Sequence, residues 1–336
     1  MYFGFSQDQK AFRDAAAEML ANECPPEAVR AAWESETAFD SKRWSALAEM
    51  GVLGICAPES AGGLGMDELD LVGLLEETGR VALPEPVVET AAVGLPLLAE
   101  AGQDDRARSA ADGSAVLAID LGFDPYLNAA DSADWFLVRS GDDLHIVTAA
   151  DVTLVPAPQS VDGARRLFKA ETTLDEDTLI LAGATDLVDR AFERGALGTA
   201  AQLVGLARHM LDVTVEYAKT REQFGKPIGA QQAIKHHLAD ALLQVEFAAP
   251  LVYRGAYALA TGADDVAVSV SMAKAHASDA AWHIARTSLQ VHGAIGYSFE
   301  YDLHLWMKRA WALAKTWGDS HWHTARVGRA ILQTDS

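Results

Sequence analysis

The stretch Arg221-Glu222-Gln223-Phe224-Gly225-Lys226-Pro227-Ile228-Gly229 sets a guanidinium where glycine and proline break one helical run from the next. Arginine presents a planar fork of donors, a geometry suited to holding a pyrophosphate. Read bare, Arg221 serves equally well to neutralise carbonyls at a helix end in an ordinary interhelical turn. A second stretch, Leu289-Gln290-Val291-His292-Gly293-Ala294-Ile295-Gly296-Tyr297, carries a glycine pair that on physics alone fits close packing of two helix ends. His292 within it reads as packed or solvated rather than catalytic. No metal site is expected. His236 and His237 are adjacent and His321 and His323 lie at i, i+2, so neither pair shares a helix face as i, i+4 residues do, and no carboxylate completes a set.

These stretches need helices to carry them. Ser6 followed by Gln9 has the form of a capping box, and Phe12, Ala16, Met19 and Leu20 continue at helical spacing. Pro25 and Pro26 stop that helix, and Trp44, Leu47, Ala48 and Val52 mark another. The run Ala57-Pro58-Glu59-Ser60-Ala61-Gly62-Gly63-Leu64-Gly65 excludes helix and regular strand and reads as a shaped loop. Helical periodicity resumes over Asp67 to Gly79 and is interrupted at Pro84 and Pro86. From Ser114 the texture changes to short β-prone runs: 116–119, 135–138, 144–147, 152–155 and 179–181. After Asp186 long Ala-, Leu- and Val-rich segments follow near 186–220, 231–261, 266–290 and 302–332. They are apolar over more than one face, which predicts a four-helix bundle covered partly by its own helices and partly by other subunits. The expected fold is mainly α with an inserted small β module: helical 1–113, β 114–182, bundle 183–336.

With those elements in place, Arg221 to Pro227, continued by Gln231-Gln232-Ala233-Ile234-Lys235-His236, resembles a signature of the acyl-CoA dehydrogenase family. That family uses it to hold the flavin adenine dinucleotide (FAD) of a neighbouring subunit. Pro58-Glu59 through Gly65 is similar to a loop of the family's N-terminal helical domain. Leu289 to Tyr297, followed by Glu300-Tyr301, resembles the segment whose glutamine and glycines touch the flavin across the dimer. The three motifs stand in family order and span nearly the whole chain. The resemblance implies an N-terminal α-domain, a middle β-domain and a C-terminal four-helix bundle. It also implies FAD as cofactor, an acyl-CoA substrate, an electron-transfer flavoprotein or similar acceptor, and flavin contacts from Arg221, Gln223, Phe224, Gln290 and Gly293.

In the family reaction the flavin takes hydride from the β-carbon of an acyl-CoA thioester while a glutamate removes the α-proton. That glutamate needs an apolar pocket to raise its pKa. Counting without gaps from Glu300-Tyr301 puts Trp317 at its usual position. Some relatives carry the base on the helix before the arginine motif, and the same count from Arg221 lands on Gly195. Neither can accept a proton. Glu193 is two residues from Gly195, a rotation of roughly 200° that points it away from the pocket. Asp319 reads best as the N-cap of a following helix. The family's flavin-covering loop and the Gly-Ser-Asp that helps bind CoA are also missing, because Val116 to Gly122 runs directly into Phe123-Asp124-Pro125 and the strand at Asp134.

Motifs that reach into a neighbour's site are thus kept, and those of the chain's own site are lost. The asymmetry resembles the smaller subunit of actinobacterial α2β2 acyl-CoA dehydrogenases of steroid side-chain degradation. A homologous catalytic partner subunit is therefore expected. The alternatives are a self-sufficient homomer using Glu193 or Asp319, and a flavin-free structural paralogue. Composition sets the outer limits. A net charge of −21 repels phosphate backbones and argues against nucleic-acid binding. Two cysteines, Cys24 and Cys56, form no disulfide framework, and the start of the chain has no signal-peptide pattern, so a cytoplasmic location is expected. No apolar run reaches the length of a membrane span.

Overall fold

The computed structural model describes residues 4–332, so the outermost positions of the two helical regions expected from sequence lie outside it. Helix α1 is Gln7–Glu23. Its capping box forms as expected: Ser6 Oγ accepts from Gln9 N at 3.1 Å, and Gln9 Oε1 accepts from Ser6 N at 2.9 Å. Pro25 and Pro26 do more than stop α1. Pro26 opens α2 (Pro26–Glu34), where proline's missing N–H costs nothing and its fixed φ suits a first turn. Then come α3 (Ser41–Glu49) and α4 (Glu68–Arg80). After Pro84 and Pro86 the chain does not loop but continues as a π-helical segment, Val88–Gly94, into α5 (Leu95–Glu100) and α6 (Asp104–Ala111).

The β module follows as β1 (Leu117–Asp120), β2 (Leu127–Asn128), β3 (Trp135–Ser140), β4 (Asp143–Thr148), β5 (Thr153–Pro156), β6 (Leu167–Glu171) and β7 (Leu179–Leu181). One sheet has the order β1-β3-β4-β7, with β1 and β3 parallel; the other is β2-β6-β5. Alternation along the strands decides which face goes where. Phe136, Val138, Val147 and Ala118 point between the sheets, while Leu117, Leu137, Leu144 and Ile146 join the helical core. Strands β2 and β6 were not evident in the sequence pattern, because β2 is two residues long and β6, the central strand of its sheet, carries Lys169 and Glu171 on an exposed face.

The last third is helical: α7 (Thr185–Thr220), a short hairpin β8 (Glu222–Gln223) and β9 (Lys226–Pro227), α8 (Gln232–Thr261), α9 (Val266–His292), α10 (Leu303–Leu313) and α11 (Ser320–Leu332). The expected fourth segment, 302–332, is two helices broken at Trp317-Gly318, both of which have positive φ (53° and 83°). Two buried ion pairs stitch the parts together. Arg43 meets Glu85 with Nε to Oε2 at 2.9 Å and Nη2 to Oε1 at 2.5 Å, and Arg309 of α10 meets Asp162 of the β module at 2.5 Å. No helix among the described residues is long and apolar enough to cross a membrane.

Candidate functional site

Helix α7 ends at Arg221, whose N–H still reaches Tyr217 O at 2.8 Å while its backbone turns extended. Glu222-Gln223 then pairs antiparallel with Lys226-Pro227. The two residues between them, Phe224 and Gly225, both have positive φ (54° and 74°), the signature of a type I′ hairpin turn. Glycine suits this backbone, whereas phenylalanine does so only at a cost of about 1 kcal/mol or more. The Phe224 ring is moreover 94% exposed. A strained backbone that holds an apolar ring in solvent is not explained by anything inside this chain.

The second motif arrives at the same end of the bundle. The His292 ring stacks on Tyr217 at 4.2 Å between centroids, its Nδ1 lies 2.8 Å from Ser288 O and its Nε2 3.2 Å from Tyr301 Oη. His292 is therefore a packing residue that ties the last turn of α9 to the last turn of α7. Beyond it, Gly293 adopts φ 65° and ψ −143°, a region closed to side chains with a Cβ. Arg221, Gln223, Phe224, Gln290 and Gly293 are all solvent-exposed. Among the described residues no carboxylate pairs with Arg221. This donor set of an unpaired guanidinium, an amide, an aromatic ring and a bare backbone suits one half of a dinucleotide site.

The two positions from which a base would act also meet. Gly195 lies in the first third of α7, and a Cβ placed there would sit 2.5 Å from Cδ2 of the Trp317 indole. The ring is 7% exposed and packs with Phe123 and Phe192 at 6.2 and 6.3 Å between centroids. Beside it a cavity of only ≈ 30 Å³ remains, lined by Glu89, Asp124, Asn128, Arg165 and neighbouring apolar groups. A roomier groove of ≈ 370 Å³ opens elsewhere, between Cys56, Met66, Glu68, Arg194 and the end of α8, away from all the motifs above except the glycine-rich loop.

Both spare carboxylates are committed to structure. Glu193 turns toward α11 and pairs with Arg326. Burial pushes its carboxyl pKa up, and the Arg326 hydrogen bond opposes that shift. Asp319 caps α11, with Oδ1 accepting from Trp322 N at 3.0 Å and Oδ2 from Lys315 Nζ at 3.1 Å. The Trp322 N–H, then Lys315, hold the Asp319 carboxyl below its usual range. Asp319→Ala is expected to lower stability by about 1 kcal/mol, whereas Asp319→Asn, which keeps the cap, should cost less than half of that in urea unfolding.

Sequence reasoning missed the groups that fix the Trp317-Gly318 turn. Asp124 accepts from Trp317 N at 3.0 and 3.1 Å. His323 Nε2 lies 2.8 Å from Trp317 O, and its Nδ1 lies 3.1 Å from Ser271 Oγ. Lys274 Nζ donates to Gly318 O at 3.0 Å and Ala314 O at 3.3 Å. Burial pushes the Lys274 ammonium down to about 7.

His323 is driven to about 4 by burial, and His209, stacked on Trp306, to about 4 by burial and then Arg80. Each binds a proton in the unfolded chain near pH 6.5 but not in the folded one until about pH 4. Their contribution to stability is therefore whole above pH 6.5 and is lost as pH falls toward 4. The raised carboxyls of Asp124 and Glu193 act in the opposite sense in the lower part of that window. The measurement is therefore a difference: the urea midpoint of His323→Gln should fall less between pH 7 and pH 5 than that of the unaltered chain.

Comparison with known proteins bears on the whole arrangement. The acyl-CoA dehydrogenase C-terminal domain family matches residues 184–332, and the N-terminal domain family matches residues 6–109. Over 318 residues the chain is 32% identical to the acyl-CoA dehydrogenase IpdE2 of Mycolicibacterium smegmatis, covering 93% of this chain and 95% of that one. Of solved structures, the ChsE4-ChsE5 complex from Mycobacterium tuberculosis superposes with a TM-score of 0.88 at 25% identity over 100% of both chains. The Tcur3481-Tcur3483 steroid ACAD superposes with a TM-score of 0.85 at 24% identity over 97% of this chain and 98% of that one.

Proposed function

The chain belongs to the acyl-CoA dehydrogenase family, and from that premise we propose that it is the base-lacking subunit of an FAD-dependent enzyme, completing the flavin site of a homologous catalytic partner in an α2β2 assembly. One observation carries the reading. Five motif residues stand exposed at one end of the bundle, Arg221 among them with no carboxylate partner among the described residues, while the two base positions are a glycine and an indole in contact.

In such a complex the flavin supplies the acceptor for the hydride that leaves the β-carbon of the acyl thioester. Arg221 would neutralise the pyrophosphate with its fork of donors, Gln223 and Gln290 would add hydrogen bonds, and Phe224 would cover an apolar part of the shared site. Gly293 leaves its backbone open to close approach. The α-proton goes to a carboxylate of the partner, since Glu193 and Asp319 are held by Arg326 and by the α11 cap. Leu242, Leu243 and Phe247 of α8 and Trp282 of α9 are exposed apolar side chains on the same bundle, and the partner would cover them. The likeness to a steroid ACAD supports a bulky, steroid-type acyl-CoA as substrate. A soluble electron-transfer flavoprotein would reoxidise the complex in the cytoplasm.

The test is to purify the chain alone and together with a family member that retains the glutamate. Alone it should be colourless and inert toward acyl-CoA. Together the two should co-purify with a flavin band that bleaches on addition of acyl-CoA. A lone chain that holds stoichiometric flavin and reduces it with an acyl-CoA overturns the proposal.

A further inference from the structure

Between the end of α9 at His292 and the start of α10 at Leu303 the chain forms no α-helix: Gly293–Tyr297 is a short 3-10 helix, and 298–302 follow as bends and turns. The outer side of this segment meets solvent, with Tyr297 59% and Phe299 68% exposed. Both of its ends are held. Upstream, the His292 ring, stacked on Tyr217 and in contact with Tyr301 Oη, ties it to α7. Downstream, the hold comes from α2 at the other end of the sequence. Arg30 Nη1 donates to Phe299 O at 2.6 Å, while Nε and Nη2 meet Asp302 Oδ1 at 2.6 and 2.5 Å. Val29 and Ala32 are the buried side of α2, and Arg30 and Trp33, three residues apart, stand together on the flank that meets the segment and α10. The Trp33 ring meets His304 edge-on at 5.5 Å and lies 5.0 Å from Lys308 Nζ, which also stands 4.8 Å from the Phe299 ring. Phe299 is thus fixed twice, by its carbonyl and by its ring. Trp33 is in turn backed by the β module: a Cβ on Gly163 would come within 2.7 Å of the indole, and Arg166 Nη2 donates to Trp33 O at 3.2 Å.

We infer that Arg30 is a positioning residue of the shared flavin site, holding the 293–302 segment from α2 in the shape that the cofactor meets at Gln290 and Gly293. This rests on the proposed function and deepens it. Arg30 acts through the segment and not by contact with the cofactor. A segment without a helical or strand ladder loses backbone freedom when it is ordered, and one that is ordered only on binding takes that cost out of the affinity. Three donors of one guanidinium, spread over a carboxylate and a carbonyl three residues apart, order it beforehand. The Arg30 side chain is 33% exposed and that of Asp302 41%, so the pair adds little to the stability of the whole fold. Its removal should therefore show in binding far more than in melting.

The test dilutes the co-purified complex and follows released FAD by its fluorescence. Arg30→Ala should weaken FAD binding roughly 3- to 10-fold, while the melting midpoint of the isolated chain moves by less than about 2 °C. Asp302→Ala, which leaves the guanidinium only its carbonyl partner, should weaken binding roughly 2- to 5-fold, and adding it to Arg30→Ala should cost nothing further. Amide hydrogen exchange on the isolated chain gives a readout free of cofactor: peptides covering 293–302 should exchange faster in Arg30→Ala, and the cores of α9 and α10 should not. Arg254→Ala is the control, because it breaks a 2.8 Å pair with Asp265 of similar exposure toward the far end of α8 from the hairpin, and it should leave FAD affinity unchanged. Unchanged affinity in Arg30→Ala overturns the inference and leaves the subunit assignment standing. An equal loss in Arg254→Ala does the same, since the effect is then one of general stability. Should Arg30→Ala not accumulate, Asp302→Ala decides alone, and unchanged affinity there overturns the inference. An unaltered complex that carries no flavin overturns the assignment itself, and the inference with it.

Discussion

A complex carrying Arg221→Ala should come off the column with a tenth or less of the flavin held by the unaltered complex, at unchanged subunit ratio. The side chain is exposed, and no carboxylate among the described residues pairs with it, so its removal should move the stability of the chain by less than about 0.5 kcal/mol. What it removes is a set of charge-assisted hydrogen bonds to a dianionic group, worth about 1.5–3 kcal/mol, or roughly 10- to 150-fold in affinity. Arg221→Lys keeps the charge but not the fork and should fall between the two. Phe224→Asn gives a sharper contrast. Asn-Gly is the favoured pair for the type I′ turn that Phe224-Gly225 occupies, so the isolated chain should be as stable as before or more so. The complex should nonetheless lose flavin, because the ring is gone. Full flavin retention in both Arg221→Ala and Phe224→Asn would remove this end of the bundle from the cofactor site.

That end of the molecule was readable because its elements are local. The Gly-Pro-Gly punctuation after Arg221 ends α7 and makes the hairpin whatever the rest of the chain does, and Gly293 ends α9 in a backbone only glycine accepts. The Ser6-Gln9 cap and the alternating β runs were legible for the same reason. The pocket was not. Gapless counting shows that positions 195 and 317 lack a carboxylate, but nothing in either segment says that the glycine of one is the seat of the other's indole. The turn that delivers the indole was hidden as well: the periodicity of 302–332 carries through it, Gly318 alone does not demand a break, and the groups that fix it come from Asp124, Lys274 and His323 on three distant segments. Pro25-Pro26 misled in a milder way, since a proline that ends one helix can open the next.

The same limit governs the packing that holds α7, the helix shared by both halves of the site. Gly205 of α7 lies against the backbone of α4: a Cβ there would stand 1.9 Å from Glu76 O and 2.8 Å from Arg80 N. One turn along the crossing, a Cβ on Gly79 of α4 would stand 2.1 Å from Gln202 O. Here main chain meets main chain, so no side-chain rotation can make space. Helix propensity alone would predict that Gly205→Ala stabilises by about 1 kcal/mol. The contact predicts the reverse, a loss of about 3 kcal/mol or more and a melting midpoint lower by roughly 6 °C, because the two helices must part and take the Arg208–Glu76 pair and the Gln202–Thr78 bond with them. Gly328 of α11 is the matched control, a helical glycine with nothing within 4 Å of its would-be Cβ. Gly328→Ala should therefore raise the midpoint by one or two degrees, on the order of 0.5–1 kcal/mol. Opposite signs for one chemical change on two helices of one chain are the expected result, and equal signs in thermal melts would show that α4 and α7 do not cross backbone to backbone.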